Sequence, residues 1–161
     1  MSRKFFVSLT VIVLALCSVN LMAQMPIPYG APITLAEAKK PAAAALAEAA
    51  KNKWNMAVAI VDPSGNLVYY EKMDNTQLAS ANVAIDKARA AAIYKRPTKM
   101  LQDAVASGGA GLRTLGLRGA TPVSGGIPLV VDGKIIGAIG VSGDTSDNDT
   151  VCASAGAALM K

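Results

Sequence analysis

Apolar positions recur along this chain at two spacings, and each spacing predicts its own element. From Leu35 onward they fall at helical intervals, with Ala38, Leu46, Ala49 and Ala50 on one side and Lys39, Glu48 and Lys51 toward water. Thr34-Leu-Ala-Glu37 has the form of a capping box, so a helix is predicted from there to about Lys53. Pro41 predicts a kink in that helix or a later start. Met56 to Val61 is then a continuous β-prone run. Asp62-Pro-Ser-Gly65 is a turn, with Pro at the second position and Gly where a positive φ is wanted. Leu67 to Met73 returns as a second, antiparallel strand.

The second half repeats the alternation. Leu78 to Tyr94 is predicted as a helix whose apolar residues (Val83, Ile85, Ala88, Ala92, Ile93) cover two faces, so much of it is buried. Pro97 ends it, and Thr98 is placed to cap a short helix from Lys99 to Val105. Ser107 to Gly119 carries five glycines and is predicted as a flexible loop. It lacks the Gly-Lys-Ser/Thr ending of a phosphate loop and the flanking elements of a dinucleotide fingerprint. Ile127–Val131 and Lys134–Val141 are strands joined by Asp132-Gly133, a type I′ hairpin signal. A last helix is expected from Ser146 to Met160, with Thr145, Ser146 and Asp147 as alternative caps. The order predicts a single α+β domain, with a mainly antiparallel sheet flanked by helices.

The N-terminus changes the compartment. Arg3 and Lys4 precede an apolar run from Phe5 to Val19, and a small residue, Ala23, stands before Gln24. This is the form of a secretory signal peptide over 1–23, too short in its apolar core for a stable membrane span after cleavage. A periplasmic or secreted protein is expected. Residues 24–33, with Pro26, Pro28 and Pro32, are predicted as an extended arm ahead of a domain over 34–161. Removing Arg3 and Lys4 lowers the net charge from +5 to +3. The remaining cations are scattered, which argues against a nucleic-acid partner. Cys152 would be the one cysteine left, so no intrachain disulfide forms, and its apolar neighbours predict a buried thiol. The chain has no histidine, which removes histidine triads, zinc sites and haem ligands alike.

The glycines of Gly125-Gly-Ile-Pro128 and Gly137-Ala-Ile-Gly-Val-Ser-Gly143 ask for a reason. Gly137 and Gly140 lie on opposite faces of a strand, and fit either close helix packing or a bulge, or else the approach of a flat ligand. Gly125-Gly126 would present free amides, and Ser142-Gly143 would seat an anion at a helix N-terminus. These stretches resemble the GlcG/HbpS family of haem-binding proteins, which includes the C-terminal domain of PduO-type proteins. The resemblance is carried by Ala57-Val-Ala-Ile-Val-Asp-Pro-Ser-Gly65, Glu71-Lys-Met-Asp74, Ala84-Ile-Asp-Lys-Ala-Arg89, Arg96-Pro-Thr98, the glycine stretch itself and Asp149, in that order. It implies an antiparallel sheet with helices on both sides and assembly into homo-oligomers. It also implies haem, or a similar tetrapyrrole, as the small-molecule partner. Some members of the family are linked to haem breakdown, extracellular redox sensing, or cobalamin-related and glycolate operons. The reading here is an exported non-enzymatic binder for scavenging or sensing. The alternatives are a cofactor-assisted enzyme such as a haem-degrading one, or an accessory subunit of a periplasmic oxidoreductase. Members that ligate iron through histidine have no counterpart here, so iron would take Tyr, Met, Lys, Cys, a hydroxyl or water.

On this reading the candidate cofactor-binding residues are Lys87, Tyr94, Arg96, Thr98, Gly125, Gly126, Pro128, Ser142 and Gly143. Lys87 either bridges a ligand carboxylate or rests at the surface beside Asp86 and Arg89. Lys95 and Arg96 have the same two options. Thr98 is a helix cap first and a ligand contact second. Tyr94 and Met100 are axial-ligand candidates if they do not pack in the core. Asp149 caps the last helix, contacts Ser142 or acts in catalysis. Tyr69 and Tyr70 alternate on a strand, which turns one outward to an oligomer interface.

Overall fold

The computed structural model describes residues 27–160; the predicted signal peptide and the first residues of the predicted arm lie outside them. Helix α1 (Leu35–Asn52) begins where the capping box places it. The Glu37 amide donates to Thr34 Oγ1 at 3.3 Å, and the Thr34 amide donates to Glu37 Oε2 at 2.9 Å. Pro41 neither delays the helix nor ends it; it is buried inside the helix, with Ala38, Ala42, Ala45 and Ala49. Ala50, expected on the apolar face, is exposed.

Four strands follow in two hairpins: β1 (Ala57–Val61) with β2 (Leu67–Lys72), and β3 (Gly126–Val131) with β4 (Lys134–Ser142). They form one antiparallel sheet in the order β2-β1-β4-β3. The first hairpin turns on Asp62, whose carboxylate accepts from the amides of Ser64 and Asn66, with Gly65 at φ +83°. In the second, Asp132 and Gly133 have φ of +49° and +69°, the left-handed pair that the I′ turn requires. Helices α2 (Ser80–Ile93), α3 (Thr98–Ala106) and α4 (Ser146–Ala157) complete the fold. Helix α4 stops three residues short of the expected Met160 and takes Thr145 as its cap.

Both faces of the sheet are covered, and they differ in side-chain size. Val58, Ile60, Ile139 and Val141 face α1 and α4, and pack with Met56, Leu129 and the small residues of those helices. Ala57, Ala59, Val61 and Ala138 face α2 and meet Ala84, Ala88, Ala91 and Ala92. The small face lets α2 come close. A Cβ at Gly140 would overlap the Ala84 carbonyl and the Ala88 amide. Gly137, on the opposite face, lies against the Val61 carbonyl and Ile33. The strand glycines are thus accounted for by close packing. Covering both faces also corrects the expectation for the tyrosines: Tyr69 packs with the α1 side and Tyr70 with the α2 side, each half-buried.

Two further corrections concern the segment after α2. Thr98 is the first residue of α3 and not its cap; its Oγ1 accepts the Gly126 amide at 2.9 Å, and Pro97 holds the cap position. Ser107–Gly119 is not a structureless loop, because Gly109–Gly116 forms a 3-10 segment. Gly111 makes its packing on α3 feasible, since a Cβ there would overlap the Ala104 carbonyl.

Candidate functional site

The chemistry predicted for ligand recognition divides into an interior part and a surface part. The interior part centres on Lys87, which is 1% exposed. Its Nζ donates to Asp149 Oδ2 at 2.6 Å and to the Val141 carbonyl at 3.1 Å. Asp149 Oδ1 accepts the Asp144 amide at 3.2 Å, and the nearby Gly143 amide also favours the charged carboxylate. Burial pushes the Lys87 ammonium below its ordinary value and the Asp149 carboxyl above its own, and their mutual contact opposes both shifts.

Several expectations are corrected by this pair. Lys87 neither snorkels nor meets Asp86; the surface pair on that helix is Arg89 with Asp86 at 3.7 Å. The carboxylate that Lys87 binds belongs to the chain and not to a ligand. The anion seat at the start of α4 is filled by Asp149 itself, which suits the partial positive charge there. Ser142 Oγ donates to Ser80 Oγ at 3.3 Å instead of meeting Asp149. Gly126 has no free amide, because Thr98 takes it, and a Cβ at Gly126 would overlap the Lys87 carbonyl. Gly125 sits at φ +117° with its Cβ position 3.0 Å from Lys87 Nζ. Pro128 is half-buried in the edge strand β3, opposite Ala138. Cys152 is buried, and burial pushes its thiol up to about 11. Among the described residues no buried side-chain nitrogen or oxygen lacks a partner, so the interior holds no polar group waiting for a ligand.

The surface part begins at the C-terminus of α2. Tyr94 is half-buried, and its hydroxyl donates to the Arg118 carbonyl at 2.7 Å. Arg96 is exposed and its Nε donates to the Tyr94 carbonyl at 2.9 Å. Lys95 lies over the Tyr29 ring, 4.1 Å from its centroid, and Lys99 pairs with Asp103 at 2.6 Å. The Ser124 amide and hydroxyl both donate to Gln102 on α3, tying the approach to β3 to the same region. Large apolar side chains stand exposed here: Ile93, Met100, Leu112, Leu115, Leu117 and Val123.

From Ile93 to Ser124 there are five cations and a single carboxylate, Asp103. Arg96, Arg113 and Arg118 have no carboxylate partner among the described residues. Of the candidates named from sequence, the structure brings Tyr94, Lys95, Arg96 and Met100 to this corner, leaves Pro128 and Gly143 half-buried, and keeps Lys87, Thr98, Gly125, Gly126, Ser142 and Asp149 in the interior. The 3-10 leucines and the two later arginines were not singled out, although the local excess of positive charge was readable. Exposed apolar side chains in the same stretch as arginines without carboxylate partners suit a flat hydrophobic ligand that carries carboxylates.

Comparison with known proteins agrees with this fold. Residues 33–158 match a family model described as haem degrading protein HbpS-like. Protein GlcG of Escherichia coli K12 is 41% identical over 100 residues, covering 62% of this chain and 73% of GlcG. A crystal structure of a double mutant of Streptomyces reticuli HbpS superposes with a TM-score of 0.75 at 31% identity, covering 82% of this chain and 89% of that one. A PduOC:heme complex superposes with a TM-score of 0.72 at 26% identity, over 81% of this chain and 96% of that one.

Proposed function

The chain belongs to the HbpS-like family, and from that premise we propose that it is an exported binder of haem or a closely related planar tetrapyrrole. The observation that carries the reading is the set of exposed apolar side chains at the α2–α3 corner, with Arg96, Arg113 and Arg118 lacking carboxylate partners among the described residues. Two demands of haem are matched by side chains on this surface. Leu112, Leu115 and Ile93 offer apolar area to the macrocycle, and the guanidinium groups offer bidentate partners to the propionates. Haem would supply a redox-active iron, and the chain would supply the binding and orientation. The heme complex of a relative and the family description support the ligand class. Export rests on the signal-like N-terminus. Association of subunits fits the apolar side chains left exposed, Leu78 among them, and light scattering reads it directly.

The test is a haemin titration followed by absorbance, with albumin as the control for loose binding. A saturable Soret shift at one haemin per subunit is expected. Arg96→Ala should weaken binding at an unchanged unfolding midpoint, because the side chain is exposed. A featureless, non-saturating titration would mean that the fold is shared and the haem is not. Conversion of the bound chromophore to a defined product by peroxide or reductant would add a haem-degrading activity.

A further inference from the structure

We infer that Met100 supplies the protein ligand to the iron of a bound haem, through its thioether sulfur; this rests on the haem reading above. The stronger donors near this corner, and the buried ones, can be taken in turn. Histidine is absent. Lys87 and Cys152 are buried, and Lys87 is held by Asp149. The Tyr29 and Tyr94 hydroxyls donate to the carbonyls of Ala92 and Arg118, bonds that ligation as a phenolate would break. Lys95 covers the Tyr29 ring, and Lys99 is neutralised by Asp103. Among the other described methionines, Met56 is fully buried, Met73 is half-buried with its sulfur accepting the Met56 amide, and Met160 packs against the core.

Met100 differs from all of these. It is 55% exposed, in the first turn of α3. Thr98 and Leu101 turn inward on that helix, which leaves Met100 on the outer side. It stands four residues from the free Arg96, and four before Ala104, the residue on which Gly111 of the leucine-bearing 3-10 segment packs. An iron donor, a propionate partner and apolar cover are therefore gathered at one corner of the fold. A thioether is a soft ligand that favours ferrous over ferric iron, so the reduced haem is the form the site should hold more tightly.

The wild-type haem complex is expected to show a thioether-to-ferric-iron charge-transfer band in the near infrared, and a reduction potential above that of free haemin. Met100→Leu conserves volume at an exposed position, so its circular dichroism and urea midpoint should match wild type. It should lose the band, shift the potential downward and lose the preference for ferrous haem. Tyr94→Phe should keep all three. A band that survives in Met100→Leu overturns the assignment, as does a wild-type complex that binds haemin saturably without the band. In that second case haem binding itself stands. Absence of saturable haemin binding by wild type overturns both readings together.

Discussion

Replacing Lys87 by Met isolates the buried pair, because the new side chain keeps the length and apolar stem of lysine without its charge. In the wild type Lys87 Nζ is 2.6 Å from Asp149, with side chains 1% and 3% exposed. Removing one partner from such a pair leaves an uncompensated buried charge and costs about 3–5 kcal/mol. Asp149 keeps the amides of Asp144 and Gly143, which places Lys87→Met near ~3 kcal/mol. Asp149→Leu strands the ammonium on the Val141 carbonyl and frees those amides, which places it near ~5 kcal/mol. The double variant removes both charges and should recover most of the loss. Urea unfolding followed by the fluorescence of Trp54, the single tryptophan and half-buried against the core, reads the series. With a slope of about 2 kcal/mol/M, Lys87→Met should lower the midpoint by roughly 1.5 M. The pH dependence carries a sign. The Asp149 carboxyl is already raised by burial, and without Lys87 it rises further. A raised carboxyl holds its proton in the folded state where the unfolded chain has lost it. Its contribution is present at low pH and disappears as pH rises through the folded value. The deficit of Lys87→Met should therefore shrink on acidification from neutral pH. Two results would refute this account: a Lys87→Met midpoint equal to wild type, or a double variant whose loss equals the sum of the single losses.

Two other perturbations test the frame around the pair. Gly140→Ala places a methyl group on the backbone of α2 and should cost about 1–3 kcal/mol or more by overpacking, which thermal unfolding will show; unchanged stability would mean that α2 can move off the sheet freely. Hydrogen bonds from the Thr34 amide and hydroxyl hold the Glu37 carboxyl below its ordinary 4.5, so its stabilising effect is present above that value and lost as pH falls through the lowered one. Glu37→Gln should remove that part of the acid sensitivity, as measured by comparing urea midpoints at neutral and acid pH.

The signals that could be read from sequence were those completed within a few residues. The capping box at Thr34–Glu37, the turn at Asp62–Gly65 and the hairpin at Asp132-Gly133 each close on themselves, so local chemistry was enough to place α1 and both strand pairs. Lys87 and Asp149 are 62 residues apart, and nothing near either one announces the other. Thr98 was misread as a cap for the same reason: its partner, the Gly126 amide, lies 28 residues on. The outward tyrosine was expected from strand alternation alone, whereas Tyr69 and Tyr70 each half-bury against the helices on their own face of the sheet. The 3-10 segment was hidden because one of its glycines, Gly111, serves close packing on α3 and not flexibility.

The glycine stretch bears directly on how this fold can hold a cofactor. Gly126 and Gly140 stand where α2 approaches the sheet, and Gly125 stands where Asp149 and Lys87 Nζ come close. A ligand placed there would have to displace a helix and break a satisfied ion pair. The residues that bear the strongest family resemblance therefore build the frame, and the recognition surface proposed above lies outside it, where α2 ends. This separates two properties that would otherwise fail together. Were Lys87 the anchor of a ligand, affinity and stability would be lost in the same variant. With Lys87 inside and Arg96 outside, stability is expected to follow the interior pair and affinity to follow the surface cations. On the proposed reading, a chain without histidine would hold a planar carboxylate-bearing ligand through the apolar area and charge of that surface, and the iron would be left to Met100, the exposed thioether there.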